Sequence, residues 1–254
     1  MFDAKEEAKN IINWIQNYFK ENGSNETKTI IGISGGVDSL ICTQLCIDAL
    51  GKDRVIGILI PDSSNSNYQK DYEDGMNICK LLDIEYYSID INRTKNSLYL
   101  QFTNQQKIST PLNSVVKYNT PARLRMTALY MIGAQLGGRV VNTCNLSETY
   151  VGYDTKWGDN AGDFAPIASF TKTEIKQIGL ALDLPKHLIN RTPDDGMCGQ
   201  SDEDRFGFTY EQLDKYIRNN KDVNVDVFNK IDKMHKAALH KINSIHIPHY
   251  TYNP

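Results

Sequence analysis

The stretch IIGISGGVDSLIC, residues 30–42, decides the fold. A run of apolar, largely β-branched residues stops at Ser34, two glycines follow, and Asp38 and Ser39 precede a second apolar run. Strand, glycine turn and helix in immediate succession make a backbone that turns tightly, offers N–H groups to a ligand and adds the positive end of a helix dipole. A phosphate or pyrophosphate suits such a turn. Ser34 and Ser39 can add hydroxyl donors, and Asp38, which would repel a bare phosphate, makes sense if it holds a divalent cation bound to that phosphate. On spacing alone, a tight turn with a helix-capping aspartate is the alternative.

Outward from that turn, similar runs recur at TIIGIS (29–34), VIGILI (55–60), IEYYSI (84–89) and RVVNT (139–143). Each is too short for a helix and apolar at nearly every position, the pattern of parallel strands buried on both faces. Helical patterns fall between them, at 39–50, 67–82 and 121–137; in the last, Thr120 is expected to cap, Pro121 to fill the first turn, and Leu124, Ala128, Ile132 and Leu136 to line one face. Ala8, Ile11, Ile12, Ile15 and Phe19 form one helical stripe ending at Gly23, so the chain opens with an amphipathic helix. The alternation predicts an α/β fold, a doubly wound, mainly parallel sheet with helices on both faces.

After the fourth run the texture changes to NLSETYVGYDTKWGDNAGDFAP (145–166), read as one long polar loop. Loops of this kind, leaving the carboxyl end of a strand, are where α/β proteins place ligands. Further helical patterns at 172–183, 210–219 and 226–242 flank a second Gly/Asp-rich loop, TPDDGMCGQSDEDRFGF (192–208). With no repeat, low-complexity tract or linker, a single domain over residues 1–254 is expected.

Composition narrows the class. The 254 residues are 40% hydrophobic and carry a formal net charge of -3, so nothing in the balance asks for nucleic acid or an anionic membrane surface as partner. Charges interrupt every apolar stretch before roughly 18 residues accumulate, which leaves no candidate membrane span and no signal peptide, and a cytoplasmic protein is expected. Five cysteines, at 42, 46, 79, 144 and 198, include no CxxC pair and fit reduced thiols. Cys42 and Cys46, four apart, are expected on one buried helical face.

The familiar nucleotide loops fail on spacing. A Walker loop needs GxxxxGK and then Ser or Thr, a dinucleotide fingerprint needs GxGxxG, and Gly32, Gly35 and Gly36 give GxxGG without a lysine. SGGVDS after a strand instead resembles the pyrophosphate loop of the N-type ATP pyrophosphatases, which split ATP between its α and β phosphates and leave AMP on a substrate. That superfamily contains GMP synthase, asparagine and argininosuccinate synthetases, and tRNA thiolation and lysidine enzymes.

TPARLRMTALY (120–130), NTCNLSETYVGYDTKWGDNAGDFAPIASFTKTEI (142–175), TPDDGMCGQSDEDRFGFTYEQLDKYI (192–217) and HKINSIHIPHY (240–250) resemble, in that order, the successive motifs of NAD synthetase. The resemblance runs from about residue 8 to the C-terminus. It implies amidation of nicotinic acid adenine dinucleotide (deamido-NAD) with ammonia through an acyl adenylate, with AMP and pyrophosphate released. It puts ATP on Gly32, Ile33, Ser34, Gly35, Gly36, Val37, Asp38 and Ser39, on Thr143 and on Lys172, and Mg²⁺ on Asp38 and Glu148. Asp38, Glu148 and Lys172 are the implied catalytic residues; read without that likeness, Glu148 fits a solvated loop acid and Lys172 a surface lysine at a helix start.

The dinucleotide falls by the same resemblance on Arg123, Lys156, Asp163, His240 and Lys241. Arg and Lys suit a pyrophosphate and a carboxylate, whereas Asp163 suits a ribose hydroxyl or serves as a turn residue. Of the two His-Lys pairs, 240–241 is taken because Pro248 and Tyr250 follow it at family-like spacing, and His235 is left as helix surface. Asp194 stands where the family usually has Ser or Thr near the ATP phosphates, which leaves a metal-mediated or backbone contact for that position. The length has no room for a glutaminase domain, so free ammonia is the expected nitrogen source, and the family implies a homodimer. A sulfur-inserting tRNA enzyme would want a cysteine pair and a basic face; GMP synthase would lack TKWGDNAGD; a regulatory module that only holds ATP would not need Asp38, Glu148 and Lys172 together.

Overall fold

Asp3 caps the first helix, its carboxylate accepting from the backbone N–H groups of Lys5 and Glu6 at 3.1 Å. The computed structural model describes residues 2–105, 111–191, 201–218, 224–242 and 247–252. In chain order the elements are α1 (Ala4–Asn22), β1 (Lys28–Gly32), α2 (Val37–Leu50), β2 (Val55–Leu59), α3 (Tyr68–Leu81), β3 (Glu85–Ser88), α4 (Asn92–Thr103) and α5 (Ser114–Leu136). Then come β4 (Gly138–Val140), α6 (Leu146–Val151), α7 (Lys172–Ala181), α8 (Lys186–Ile189), α9 (Asp202–Phe206), α10 (Tyr210–Ile217) and α11 (Val225–Ile242).

The four strands are parallel, in the order β3-β2-β1-β4. Ile30 of β1 sits in register with Ile56 of β2 on one side and Val140 of β4 on the other. Single parallel bridges, Val141 to Phe164 and Ala165 to His249, carry the edge beyond β4. From β1 the chain winds outward through β2 and β3, then returns to the opposite side of β1 as β4. That reversal opens a crevice at the carboxyl ends of β1 and β4, the place where doubly wound sheets bind ligands.

Successive residues of β1 feed opposite cores because side chains alternate across a sheet. Ile31 packs with Leu40 and Leu45 of α2, Ile11 and Ile15 of α1, and Phe164. Ile30 packs with Ile58, Val140 and the α5 residues Met126, Leu129 and Ile132. Strands β1 and β2 are thus covered on both faces, as their unbroken apolar runs require; β3, expected to be buried as well, is an edge strand with Glu85, Tyr87 and Ser88 exposed. Cys42 and Cys46 are fully buried on α2, as their shared face predicts.

Several expectations need correction. Helix α5 starts seven residues before Pro121, capped by Asn113, whose side chain accepts from Val116 N at 3.0 Å. Pro121 is interior and buried; its missing N–H removes the bond to the Lys117 carbonyl, and the helix runs through because the turn before it is already capped. Helix α4 is absent from the sequence expectation because its apolar residues do not follow one face: Leu98, Leu100 and Phe102 are all exposed. The long polar loop holds a helix, α6, nucleated by a reciprocal Asn145–Glu148 capping box. His235 is not plain surface: half-buried on α11, it stacks on the Tyr150 ring at 3.9 Å with Nδ1 2.9 Å from the Tyr150 carbonyl, filling the seam with α6.

Gly75 of α3 tests how tightly a helix sits on the crevice edge. A Cβ there would lie 2.8 Å from Leu59 Cδ2 and 3.1 Å from the Ile33 carbonyl oxygen. Alanine gains about 1 kcal/mol of helix propensity, while overpacking costs about 1–3 kcal/mol. Gly75→Ala is therefore expected to lower stability by about 1 kcal/mol, and a denaturant midpoint equal to or above wild type would show that α3 does not press on the strand end.

Candidate active site

At the end of β1 the chain makes the glycine turn. Gly35 has φ of 83°, in the left-handed region, and a Cβ on it would lie 2.9 Å from Asp74 Cβ, so both backbone strain and space select glycine. The turn is fixed internally: Gly36 N donates to Ser34 Oγ at 3.2 Å and Ser39 Oγ donates to the Gly36 carbonyl at 3.0 Å. From across the crevice Arg191 donates to the Gly35 carbonyl at 3.2 Å and pairs with Asp74 of α3 at 2.6 Å. The turn therefore arrives folded, with the α2 N-terminus behind it.

Three helix starts converge on this turn. Asp38 stands in the first turn of α2, Glu148 in the first turn of α6 and Lys172 at the first position of α7. The Lys172 ammonium lies 2.6 Å from Asp38 Oδ2 and 3.1 Å from Glu148 Oε1, with its own side chain only 4% exposed. Burial alone would lower the lysine pKa, but Asp38 and Glu148 outweigh it and hold the ammonium charged. Burial, reinforced by Asp38, raises the Glu148 carboxyl well above the usual carboxylate range in spite of Lys172.

Backbone contacts hold Lys172 in place. Ser147 Oγ accepts from Lys172 N at 3.0 Å and donates to Asp214 of α10 at 2.5 Å, while the other Asp214 oxygen accepts from Thr173 N at 2.8 Å. Asp214 thus caps the start of α7 from another helix, satisfying N–H groups that have no partner within α7. Tyr210 of the same α10 places its ring 5.3 Å from the Lys172 ammonium and donates its hydroxyl to Asp202 at 2.9 Å.

A divalent cation fits this constellation. Asp38 Oδ1 is buried and has no hydrogen-bond partner among the described residues, an open acceptor beside a second carboxylate. Among the described residues no group of three or more His, Cys, Asp or Glu side chains surrounds a metal-sized space. An ion shared by Asp38 and Glu148 would take its remaining ligands from phosphate oxygens and water, the habit of Mg²⁺.

The crevice is a cavity of about 610 Å³ lined by residues 32–39, by Thr143, Glu148 and Lys172, and by Lys241. Arg123, Lys156, Asp163 and His240 are not among its lining residues. Three of these join in a surface chain: Arg123 Nε donates to the Lys156 carbonyl at 3.1 Å, and Lys156 Nζ donates to the His240 carbonyl at 3.3 Å. Lys241 bonds the Gly152 carbonyl at 2.7 Å and stands 3.6 Å from the Asp154 carboxylate, tying α11 to the cavity wall. Asp163 is committed elsewhere, its carboxylate accepting from Val140 N at 2.8 Å and its own N–H bonding the Val140 carbonyl at 2.7 Å. Asp194 and Cys198 lie outside the described residues.

Sequence reading missed several lining groups. Arg125, two positions from the arginine chosen, faces the cavity from α5. Asp62, at the end of β2, lines it too, ion-paired to Lys95 of α4, with Ser64 Oγ 2.6 Å from the same ammonium. The phase of the Ala128–Ile132 stripe points to Arg125; nothing local pairs Asp62 with a lysine 33 residues on.

The parallel order, the switch-point crevice and the glycine turn define the adenine nucleotide alpha hydrolase-like fold. The sequence model of the NAD synthase family matches residues 7–245. The chain belongs to that family, whose members are ligases that form a carbon–nitrogen bond. It is 35% identical over 235 residues to an NH3-dependent NAD(+) synthetase of Finegoldia magna, with 92% of each chain covered. Among solved structures it is similar to NMN synthetase from Francisella tularensis, at a TM-score of 0.86 and 30% identity, covering 98% of this chain and 99% of that one. NH3-dependent NAD synthetase from Campylobacter jejuni superposes at a TM-score of 0.77 with 26% identity, covering 97% and 99%.

The Asp62–Lys95 pair, both side chains about 90% buried, generates a prediction. Burial works to raise the Asp62 carboxyl, but its bonds to Lys95 and Ser64 win and hold it below the usual range. A depressed carboxyl stabilises the fold above its unfolded pKa of about 3.9, and that share is lost as pH falls through the folded value. Lys95→Met leaves a buried, unpaired carboxylate and should cost about 3–5 kcal/mol at pH 7, with a smaller difference near pH 3; equal denaturant midpoints at pH 7 would refute the pairing.

Proposed function

We propose that the protein amidates a nicotinate nucleotide with free ammonia at the expense of ATP, the substrate being deamido-NAD and the product NAD. The buried Lys172 shared by Asp38 and Glu148 at the mouth of the glycine turn carries this reading. A carboxylate is a poor acyl donor until its oxygen becomes part of a good leaving group. One carboxylate oxygen attacks the α-phosphorus of ATP, the bond to the bridging oxygen breaks and pyrophosphate leaves. Ammonia then attacks the acyl carbon, the bond to AMP breaks, and the nitrogen sheds a proton to give the amide.

The residues have distinct work in that sequence. The Gly35–Gly36 turn and the α2 N-terminus receive the departing pyrophosphate, with Ser34, Ser39 and Thr143 alongside. Lys172 neutralises charge as the bond to pyrophosphate breaks, and Asp214 through Ser147 keeps its backbone in place. Asp38 and Glu148 would hold Mg²⁺, which would supply charge neutralisation on the phosphates. Arg123, Lys156, His240 and Lys241 form a basic strip that suits the dinucleotide's pyrophosphate. Asp163 would serve as a hydroxyl acceptor only through oxygen lone pairs not spent on Val140.

Nicotinate mononucleotide is a second reading of the acid, favoured by the TM-score of 0.86 to NMN synthetase, which exceeds the 0.77 to the NAD synthetase. Both acids offer the same carboxylate and differ in the adenylate half, so the chemistry above serves either. A single domain that takes free ammonia and works as a homodimer completes the proposal, supported by the exposed Leu100, Phe102, Val115 and Met131 on α4 and α5. Among the described residues four buried free thiols suit a reducing, cytoplasmic setting.

AMP release from Mg-ATP and ammonium, measured with deamido-NAD, with nicotinate mononucleotide and with neither, tests the proposal. Acid-dependent AMP is expected, and the better acid identifies the substrate; equal AMP in all three mixtures would sink the reading. In the same assay Asp38→Asn and Glu148→Gln should each lower turnover by roughly 100-fold or more at fixed Mg²⁺, and wild-type rates would remove the metal assignment.

A further inference from the structure

Arg125 is the cavity group that the mechanism above leaves without a task. Its Nε donates to the Ile60 carbonyl at 3.0 Å, which fixes the guanidinium at the carboxyl end of β2. Of the five N–H donors on an arginine, that bond uses one, and the two terminal NH2 groups have no partner among the described residues. The apolar Met126 and Leu129 of the same helix lie beside it on the cavity wall. Nearby carboxylates do not relieve it: Asp62 is taken up by Lys95 and Ser64, although Asp62, Asp159 and Asp71 all favour its charge. Burial is the larger influence and works against that charge. Donors held in a partly desolvated wall without acceptors are costly unless a ligand completes them.

Position adds to the argument. Lys172 and the glycine turn approach the crevice from the α2 face of the sheet, whereas Arg125 comes from α5 on the opposite face. Arg125 thus lines the same cavity as the glycine turn and Lys172 from the opposite side of the sheet. We propose that Arg125 is a substrate-binding residue of this site, its two terminal NH2 groups receiving the paired oxygens of an oxyanion. Resting on the amidation reading, this assigns the oxyanion to one of two sources with shared chemistry, the carboxylate of the nicotinate substrate or a phosphate of ATP. A guanidinium fork matches both in a way that a lysine would not.

Calorimetric titration separates the sources, with ATP, deamido-NAD, nicotinate mononucleotide and the amides NAD and NMN each added alone to wild type, Arg125→Gln and Arg125→Lys. Loss of a charge-assisted pair should weaken the affected ligand roughly 10- to 100-fold in Arg125→Gln. Arg125→Lys should recover part of that affinity, since charge is kept and the fork is lost. If the carboxylate is read, the acids weaken and the amides do not; if an ATP phosphate is read, ATP alone weakens. Steady-state rates should repeat the split as a raised KM for that one substrate, which a general loss of structure would not produce. Affinities within about twofold of wild type for every ligand in Arg125→Gln would overturn the proposal, and if that variant does not fold, the same result in Arg125→Lys would do so. Wild type that binds ATP but neither acid would sink the amidation reading instead, and the ATP titration would still decide the arginine's part.

Discussion

The Lys172 ammonium, buried between Asp38 and Glu148, is the constraint on which the site depends. It binds the first turns of α2, α6 and α7 to one point. Each of those turns carries the positive end of a dipole, so a lysine there adds positive charge to positive charge. The two carboxylates make the arrangement tolerable. Removing either would leave the ammonium facing three helix starts, and removing the ammonium would leave two buried acids side by side. The arrangement is stable only as a set, which is why Asn145, Ser147, Asp214 and Tyr210 are all spent on holding its members.

How much of this was legible follows from the range of each interaction. Strands β1 and β2 were readable because burial on both faces makes them apolar at successive positions, a local property of TIIGIS and VIGILI, whereas IEYYSI reads the same way and forms the exposed edge strand β3. The glycine turn was readable because φ of 83° at Gly35, with Asp74 Cβ only 2.9 Å from where a Cβ would stand, favours glycine there. Asp38, Glu148 and Lys172 were placed by resemblance rather than by physics, since nothing within a few residues of Glu148 says that a lysine 24 positions on will meet it. The start of α5 was misread because Pro121 is a strong local signal and the cap that overrides it lies eight residues earlier at Asn113. Asp214 had no local signal at all; its partner Ser147 is 67 residues away.

Arg123 and Arg125 show a case where the signal was present and not used. Two residues apart on a helix, they differ by about 200° around the axis, so choosing one or the other turns the guanidinium to opposite sides. The buried stripe of Ala128, Leu129 and Ile132 sets the phase, and Arg125, three and four residues before Ala128 and Leu129, shares that side. Arg123 is exposed and, among the described residues, donates to the Lys156 carbonyl. Motif likeness singles out Arg123, whereas helical geometry puts Arg125 on the cavity side.

Charge in the cavity explains why anion binding cannot rest on side chains alone. Among the described lining residues seven carboxylates, Asp38, Asp62, Asp71, Glu148, Asp154, Asp159 and Asp202, face five cations, Arg125, Lys172, Arg191, Arg205 and Lys241. Burial raises the carboxyls of Glu148, Asp154 and Asp159, and even so the side chains alone offer a polyanion no strongly positive wall. Three things offset that: the backbone dipoles of the glycine turn and α2, the engagement of Asp62 and Asp38 with lysines, and a cation arriving with the phosphates. The open Asp38 Oδ1 is where the third would act. On the amidation proposed above, an acid-rich crevice with backbone donors at its floor would suit a triphosphate that carries a divalent cation better than a bare one.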